Sequence, residues 1–228
     1  MLKTKENIDK LLTVYEECYS QGIWNTEERL FAGMCKIYLN KYDEAREMFD
    51  VATKLNIELI PGEKRIYFPW HLVASWVFSG NFSVSHHIWK ILDHYRTNNY
   101  APLAPLAKYS YIVAELLASR GEIIDGWITD LISFEKKNLK DIYSEGYCFK
   151  AIRENNLSIF HENLSLLLAK HHNIVRFGSL RETAEGFYCL EGMVLCYCAM
   201  AYGMDIQVDN QYISMDYLHF ILDYRDKK

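Results

Sequence analysis

Apolar and polar positions alternate with the period of a helix along almost the whole chain. Ile8, Leu11, Leu12, Tyr15, Cys18 and Tyr19 share one face of a first helix that ends near Gly22. Asn25 with Glu28 makes a capping-box-like start for a second helix, running to about Leu39. A third follows from about Asp43 to Lys54, and residues 55–68 read as a loop with a turn at Pro61-Gly62. Pro69 suits the first turn of a helix running towards Gly80. The same spacing predicts helices near 83–95, 102–120, 123–137, 141–153, 157–171, 181–202 and 214–224, with Gly203 stopping the penultimate one. Strand-like alternation is confined to Arg65–Phe68 and Asp205–Val208. The pattern predicts an all-α fold of antiparallel helical hairpins, about ten helices in a helical-repeat-like bundle. It reads as a single helical domain over residues 1–228, with the N-terminal helices in 1–68.

A repeat emerges when the turns are aligned. Leu39-Asn40-Lys41-Tyr42, Ser79-Gly80-Asn81-Phe82 and Ser119-Arg120-Gly121-Glu122 recur every 40 residues, each between two apolar helices. Asn155-Asn156-Leu157 reads as a degenerate fourth copy. In the first copy Gly33, Tyr42, Ala45, Phe49 and Ala52 match the spacing of a tetratricopeptide-type helix pair. Small residues there let two helices approach, and the aromatic at 49 fills the groove. The second copy keeps Gly80, Phe82 and Trp89 but places Ser85 at the small position. Antiparallel helix pairs around one core give the same pattern without repeat homology.

Composition narrows the class. With 228 residues, 50% of them hydrophobic, the chain buries a large core and is not disordered. Only 11 Gly and 4 Pro count against a turn-dense β-sandwich. The polar start Met1-Leu2-Lys3-Thr4-Lys5-Glu6-Asn7 has no apolar stretch behind it, and the longest apolar block, Tyr188 to Tyr202, is broken by Glu191. No signal peptide or membrane span is therefore read, and a cytoplasmic protein is expected. Cysteines at 18, 35, 148, 189, 196 and 198 form no CxxC pair, so they read as reduced, buried thiols.

Catalytic and metal chemistry has little to stand on. His86-His87 and His171-His172 are adjacent pairs, whose side chains point about 100° apart on a helix. There is no HExxH, and His161-Glu162 reverses the order a metalloprotease would need. His171-His172 fit better as cations near a helix C-terminus. No G-x-S-x-G, P-loop or G-x-G-x-x-G is present, and Glu16-Glu17, Glu27-Glu28 and Asp43-Glu44 sit at helix starts or on solvated faces. No enzyme, cofactor or metal is expected.

Charge is the exception. The formal net charge is −5, and residues 181–228 hold eight acids against four bases, which leaves −1 for the first 180 residues. Between Glu182 and Tyr224 there is no Lys or Arg. A buried 181–202 helix would exclude basic side chains by itself, but Asp205, Asp209, Asp216 and Asp223 fall where Lys would be tolerated. An acidic surface carrying exposed Tyr212, Tyr217 and Tyr224 suits a basic protein partner. The pI near 5.9 gives no reason to expect nucleic acid as a partner.

Several segments also resemble a family of bacterial immunity proteins from polymorphic toxin systems, the immunity protein 49 family. Trp70-His71-Leu72-Val73-Ala74-Ser75-Trp76-Val77-Phe78-Ser79-Gly80-Asn81 is similar to its "A-L-L-x-G-D" segments. Glu154-Asn155-Asn156 and Phe160 to His171-His172 resemble a stretch that ends L-x-x-H. Glu191-Gly192-Met193 through Tyr202-Gly203-Met204-Asp205-Ile206 resembles a small-residue helix ending in Gly. Tyr212-Ile213-Ser214-Met215-Asp216-Tyr217-Leu218 stands in place of a "Y-x-P-x-x-L" ending, without its proline. The similarity covers about residues 70–220, so 69–228 is the immunity-protein-like region. It implies an inhibitor that binds a cognate toxin, a nuclease or other basic domain, and blocks its active site without catalysis. No family residue role transfers.

Charge placement then nominates Arg181, Glu182 and Glu185, beside an expected loop at 173–180, and Asp209, Tyr212 and Asp216 as partner-binding residues. An ordinary solvated surface is the alternative for each. The competing function is a tetratricopeptide-like adaptor that binds a peptide or protein in a concave groove. A membrane partner is not expected, and a homodimer is left open.

Overall fold

Several helices end in a shared turn geometry. Asn40, Gly80, Asn155 and Gly203 all adopt left-handed backbone, with φ of 58°, 62°, 50° and 82°. Glycine tolerates that region freely, and asparagine better than most other side chains. At Asn40 and Asn155 the closing bonds match: Lys41 N–H donates to Lys36 O at 2.9 Å, and Asn156 N–H to Ala151 O at 2.8 Å. Each spans five residues, as in a Schellman helix end. Met204 N–H closes the Gly203 turn on Ala199 O at 3.0 Å. Three of the four aligned turns, at 40, 80 and 155, therefore share a left-handed residue. The copy at 119–122 lies outside the described residues.

The computed structural model describes residues 5–21, 26–59, 69–97, 105–118, 124–138, 144–178, 180 and 183–226. Within them are eleven α-helices and no strand. These are α1 (Lys5–Ser20), α2 (Thr26–Tyr38), α3 (Tyr42–Leu59), α4 (Pro69–Ser79), α5 (Ser85–Thr97) and α6 (Pro105–Leu117). They continue as α7 (Ile124–Asn138), α8 (Glu145–Arg153), α9 (Leu157–Phe177), α10 (Leu190–Ala201) and α11 (Met215–Asp226). Neighbours in sequence pack as pairs from α1 to α4 and again from α6 to α9. α10 runs through the middle against α4, α6, α8 and α9, and α11 closes over α3 and α4. The all-α bundle of helical hairpins is thus the architecture.

The first hairpin explains its own composition. A Cβ on Gly33 would lie 2.7 Å from the ring of Phe49, so only glycine lets α2 and α3 approach this closely. Ala45 and Ala52 are buried beside that ring. The Phe49 ring packs tilted against Phe78 at 5.4 Å and Tyr217 at 6.0 Å, joining α3 to α4 and α11. Buried Lys36 ties three helices: its Nζ meets Glu16 at 3.2 Å and Glu44 at 2.8 Å. Burial works against that charge, but the two carboxylates overcome it and raise the lysine pKa.

Some boundaries differ from the spacing. α3 continues to Leu59, and within it Thr53 Oγ1 and Asn56 Nδ2 bond back to Phe49 O and Ala52 O at 2.8 and 2.9 Å instead of capping its end. The Asn25 cap, the Pro61-Gly62 turn and the Arg65–Phe68 strand candidate lie outside the described residues. Asp205–Val208 forms no strand. The penultimate helix begins at Leu190, not 181, because Cys189 N–H is taken by Tyr212 O at 3.0 Å from across the fold. α9 runs on to Phe177, where Gly178 N–H bonds Ile174 O at 2.8 Å. His171 and His172 therefore sit inside α9 and not near its C-terminus, and most of 173–180 is helix.

Candidate functional site

α9 separates two concave features. On its outer side a groove of about 510 Å³ runs between the helix and the irregular segment 207–212. His161, Leu168, His172, Gln207, Asp209 and Tyr212 are among its walls. On its inner side a cavity of about 320 Å³ lies between α9, α10 and the start of α8. Tyr109, Glu145, Lys170, Glu185, Tyr188 and Glu191 line that one. Tyr212 stands at the division. Its ring meets His171 edge-on at 4.8 Å, and its hydroxyl lies 3.0 Å from His172 Nδ1.

The outer groove and α11 carry the acidic surface. Asp205, Asp209, Asp216 and Asp223 are all exposed, as their position outside the buried helix predicts. Part of the missing basic charge has another cause. Ten residues of α10, from Leu190 to Met200, are buried, and no Lys or Arg would fit there. The acidic bias that burial does not explain is therefore confined to 202–224.

The expectation of exposed tyrosines needs correction. Tyr217 is fully buried and Tyr212 is 4% exposed, whereas Tyr224 is half-buried with Arg46 stacked 4.4 Å over its ring. Apolar neighbours explain this: Tyr217 sits among Tyr42, Phe49, Phe78 and Phe220. Each ring gains more from burial than its single hydroxyl loses when that hydroxyl finds an acceptor.

The six nominated residues do not form one patch. Asp209 and Tyr212 come together in the outer groove. Asp216 lies exposed at the start of α11, beside Tyr42, whose phenol pKa is raised first by burial and then by the Asp216 charge. Glu185 turns inward to the cavity, on a 3-10 turn spanning Ala184–Gly186. Arg181 and Glu182 lie outside the described residues.

The inner cavity was not foreseen, and burial raises the pKa of its acids as it does that of Tyr109, Tyr188 and Cys189 beside them. Glu135 of α7 and Glu145 of α8 are 3% and 5% exposed and share a hydrogen bond. Glu135 also accepts from Gly146 N–H at 3.1 Å. Burial pushes the Glu135 carboxyl up to about 7, and burial plus the Glu135 charge pushes Glu145 well above the ordinary range. Two carboxyls this close cannot both ionise cheaply, so they hold a proton between them. Burial also raises Glu185 and Glu191. Tyr109 hydroxyl donates to the Glu191 carbonyl at 2.8 Å and braces the start of α10. One signal pointed here: Glu191 is the lone charge in an apolar block. Nothing local marked Glu145, which reads as a helix-start acid.

Five cysteines are buried and all six are free. Burial raises Cys35 and Cys196 to about 12, so both are thiols without nucleophilic character at neutral pH. Among the described residues no group of three or more His, Cys, Asp or Glu is placed to hold a metal ion. No described helix is long and apolar enough to cross a membrane.

No family model, curated protein or solved structure matches the chain.

Proposed function

We propose that the chain is an immunity protein that binds a cognate bacterial toxin and neutralises it by covering its active site. The partner is a nuclease or other basic toxin domain, and no catalysis by this chain is involved. The observation that supports this most is the run from 202 to 224, with four exposed aspartates and no Lys or Arg. An excess of exposed acids steers a basic partner and raises the association rate, up to roughly 10⁸–10⁹ M⁻¹s⁻¹ at low salt against about 10⁵–10⁶ for neutral surfaces. Asp209, Asp216 and the His172–Tyr212 edge of the groove are the contacts this reading assigns. A rigid helical core beneath them favours docking without refolding.

The test is co-expression with the toxin domain encoded beside this chain's gene. Restored growth and a stoichiometric complex on gel filtration are expected. A toxin that still kills, with no complex, contradicts the reading.

A second reading, a tetratricopeptide-like adaptor, is favoured by the Gly33–Phe49 approach and by the recurring left-handed turns. Under it the neighbouring toxin domain gives no complex, and an extended partner peptide binds along α2–α4.

A further inference from the structure

Segment 206–210 has the character of a strand without a sheet. It runs without a helical turn or bend, and burial alternates along it. Ile206, Val208 and Asn210 turn inward, while Gln207 and Asp209 are exposed. Among the described residues Gln207, Val208 and Asp209 make no hydrogen bond, by side chain or by backbone. A straight backbone in that state is a template for one more strand. It forms one wall of the outer groove, and α9 forms the other. Leu164, Leu168 and Ala169 give the α9 wall an apolar strip between His161 and His172. From His161 to His172 the helix rises about 16 Å, which an extended chain covers in about five residues.

Charge selects the occupant. Asp205 and Asp209 are exposed along this stretch, and no Lys or Arg is among the groove's described walls. His161 and His172 are its basic groups, and His172 Nδ1 already lies 3.0 Å from the Tyr212 hydroxyl. A second copy of the chain does not fit. Pairing the segment antiparallel with itself about Gln207 sets Asp205 against Asp209, and like charges directly opposite repel.

We propose that the groove takes an extended segment of about five residues from a basic partner protein, added as a strand along 207–209. Main-chain hydrogen bonds to 207–209 hold the segment, and Lys or Arg at alternate positions meets Asp205 and Asp209. The apolar residues between them lie against Leu164 and Leu168. The partner's positive charge rests on the immunity reading, but the test uses no toxin, so either can fail alone.

Random octapeptides displayed on phage and panned over the full chain at low salt provide the probe. Enriched sequences should carry Lys or Arg at alternate positions, and a synthetic copy should bind with a dissociation constant below about 100 µM. A strand pairs along one edge only. N-methylating every second residue of that peptide should therefore weaken binding about tenfold or more in one register and less than about threefold in the other. Asp209→Lys should weaken it about tenfold, whereas Glu47→Lys, the same charge change at an exposed position of α3, leaves it within about twofold. The proposal is overturned by no enrichment, or by enriched sequences without basic residues. It is equally overturned by equal effects of the two methylated registers, or by binding that Asp209→Lys leaves unchanged. A toxin complex without peptide binding removes this proposal and leaves the immunity reading standing; peptide binding without a toxin complex does the reverse.

Discussion

The hydroxyl of Tyr217 donates to the carbonyl oxygen of Phe78 at 2.8 Å, joining α11 to the end of α4 across 139 positions of sequence. Both residues are fully buried, so neither group has water to fall back on. Tyr217→Phe keeps the ring and removes the donor. It should destabilise the fold by about 1–2 kcal/mol, seen as a lower denaturant midpoint with an unchanged slope.

Gly33 permits the closest helix approach in the first hairpin. Alanine would gain up to about 1 kcal/mol of helix propensity there. Its methyl, however, would meet a Phe49 ring hemmed in by Phe78 and Tyr217, and overpacking of that kind costs about 1–3 kcal/mol. Gly33→Ala should therefore destabilise the protein. Gly33→Ala with Phe49→Leu should cost less than the two separate changes added together, which a double-mutant cycle reads directly.

The Glu135–Glu145 pair sets an unusual pH profile. Below its ordinary value of 4.5 the Glu135 carboxyl is protonated in both folded and unfolded chains. Between there and about 7 the unfolded chain releases the proton while the folded chain keeps it. Stability from this pair is thus complete below 4.5 and falls as pH rises to about 7, by on the order of 1–3 kcal/mol. Glu27 acts the other way. Its hydrogen bond with His71 lowers its pKa, and that contribution is lost as pH falls below the ordinary carboxylate range. Thermal midpoints should decline from mildly acid to neutral pH, and Glu135→Gln should flatten that decline.

How much of this was legible in the sequence depended on distance along the chain. Helix positions were visible because apolar spacing is local, and the turns at 40 and 80 because left-handed backbone favours Asn and Gly. Tyr212 and Tyr217 were misread as surface residues. Their polar neighbours in sequence, Asp209, Asn210 and Asp216, face solvent, while their rings pack on α9, α3 and α4 from elsewhere. The Glu135–Glu145 contact joins separate helices, and Glu191 and Glu185 reach the same cavity from still later in the chain. Each looks like an ordinary helix or loop acid until tertiary packing closes around it. Burial of α10 accounts for the missing Lys and Arg over 190–200, the cause that a buried helix there predicts, and leaves the depletion over 202–224 to the exposed segment.

The acidic surface yields a kinetic expectation. If Asp209 and Asp216 steer a basic partner, raising salt should slow association far more than it speeds dissociation. Stopped-flow association at about 0.01 M and about 0.15 M ionic strength should show that asymmetry, because the screening length falls from about 30 to about 8 Å.

The most direct measurement is the affinity of the full chain for the toxin domain encoded beside its gene, compared with the Asp209→Lys, Asp216→Lys double variant at low salt. Both positions are exposed, so the variant should fold normally. A loss of about tenfold or more, with weaker protection of growth, is the predicted result. Equal affinity for the two proteins, or no complex with either, would contradict the account.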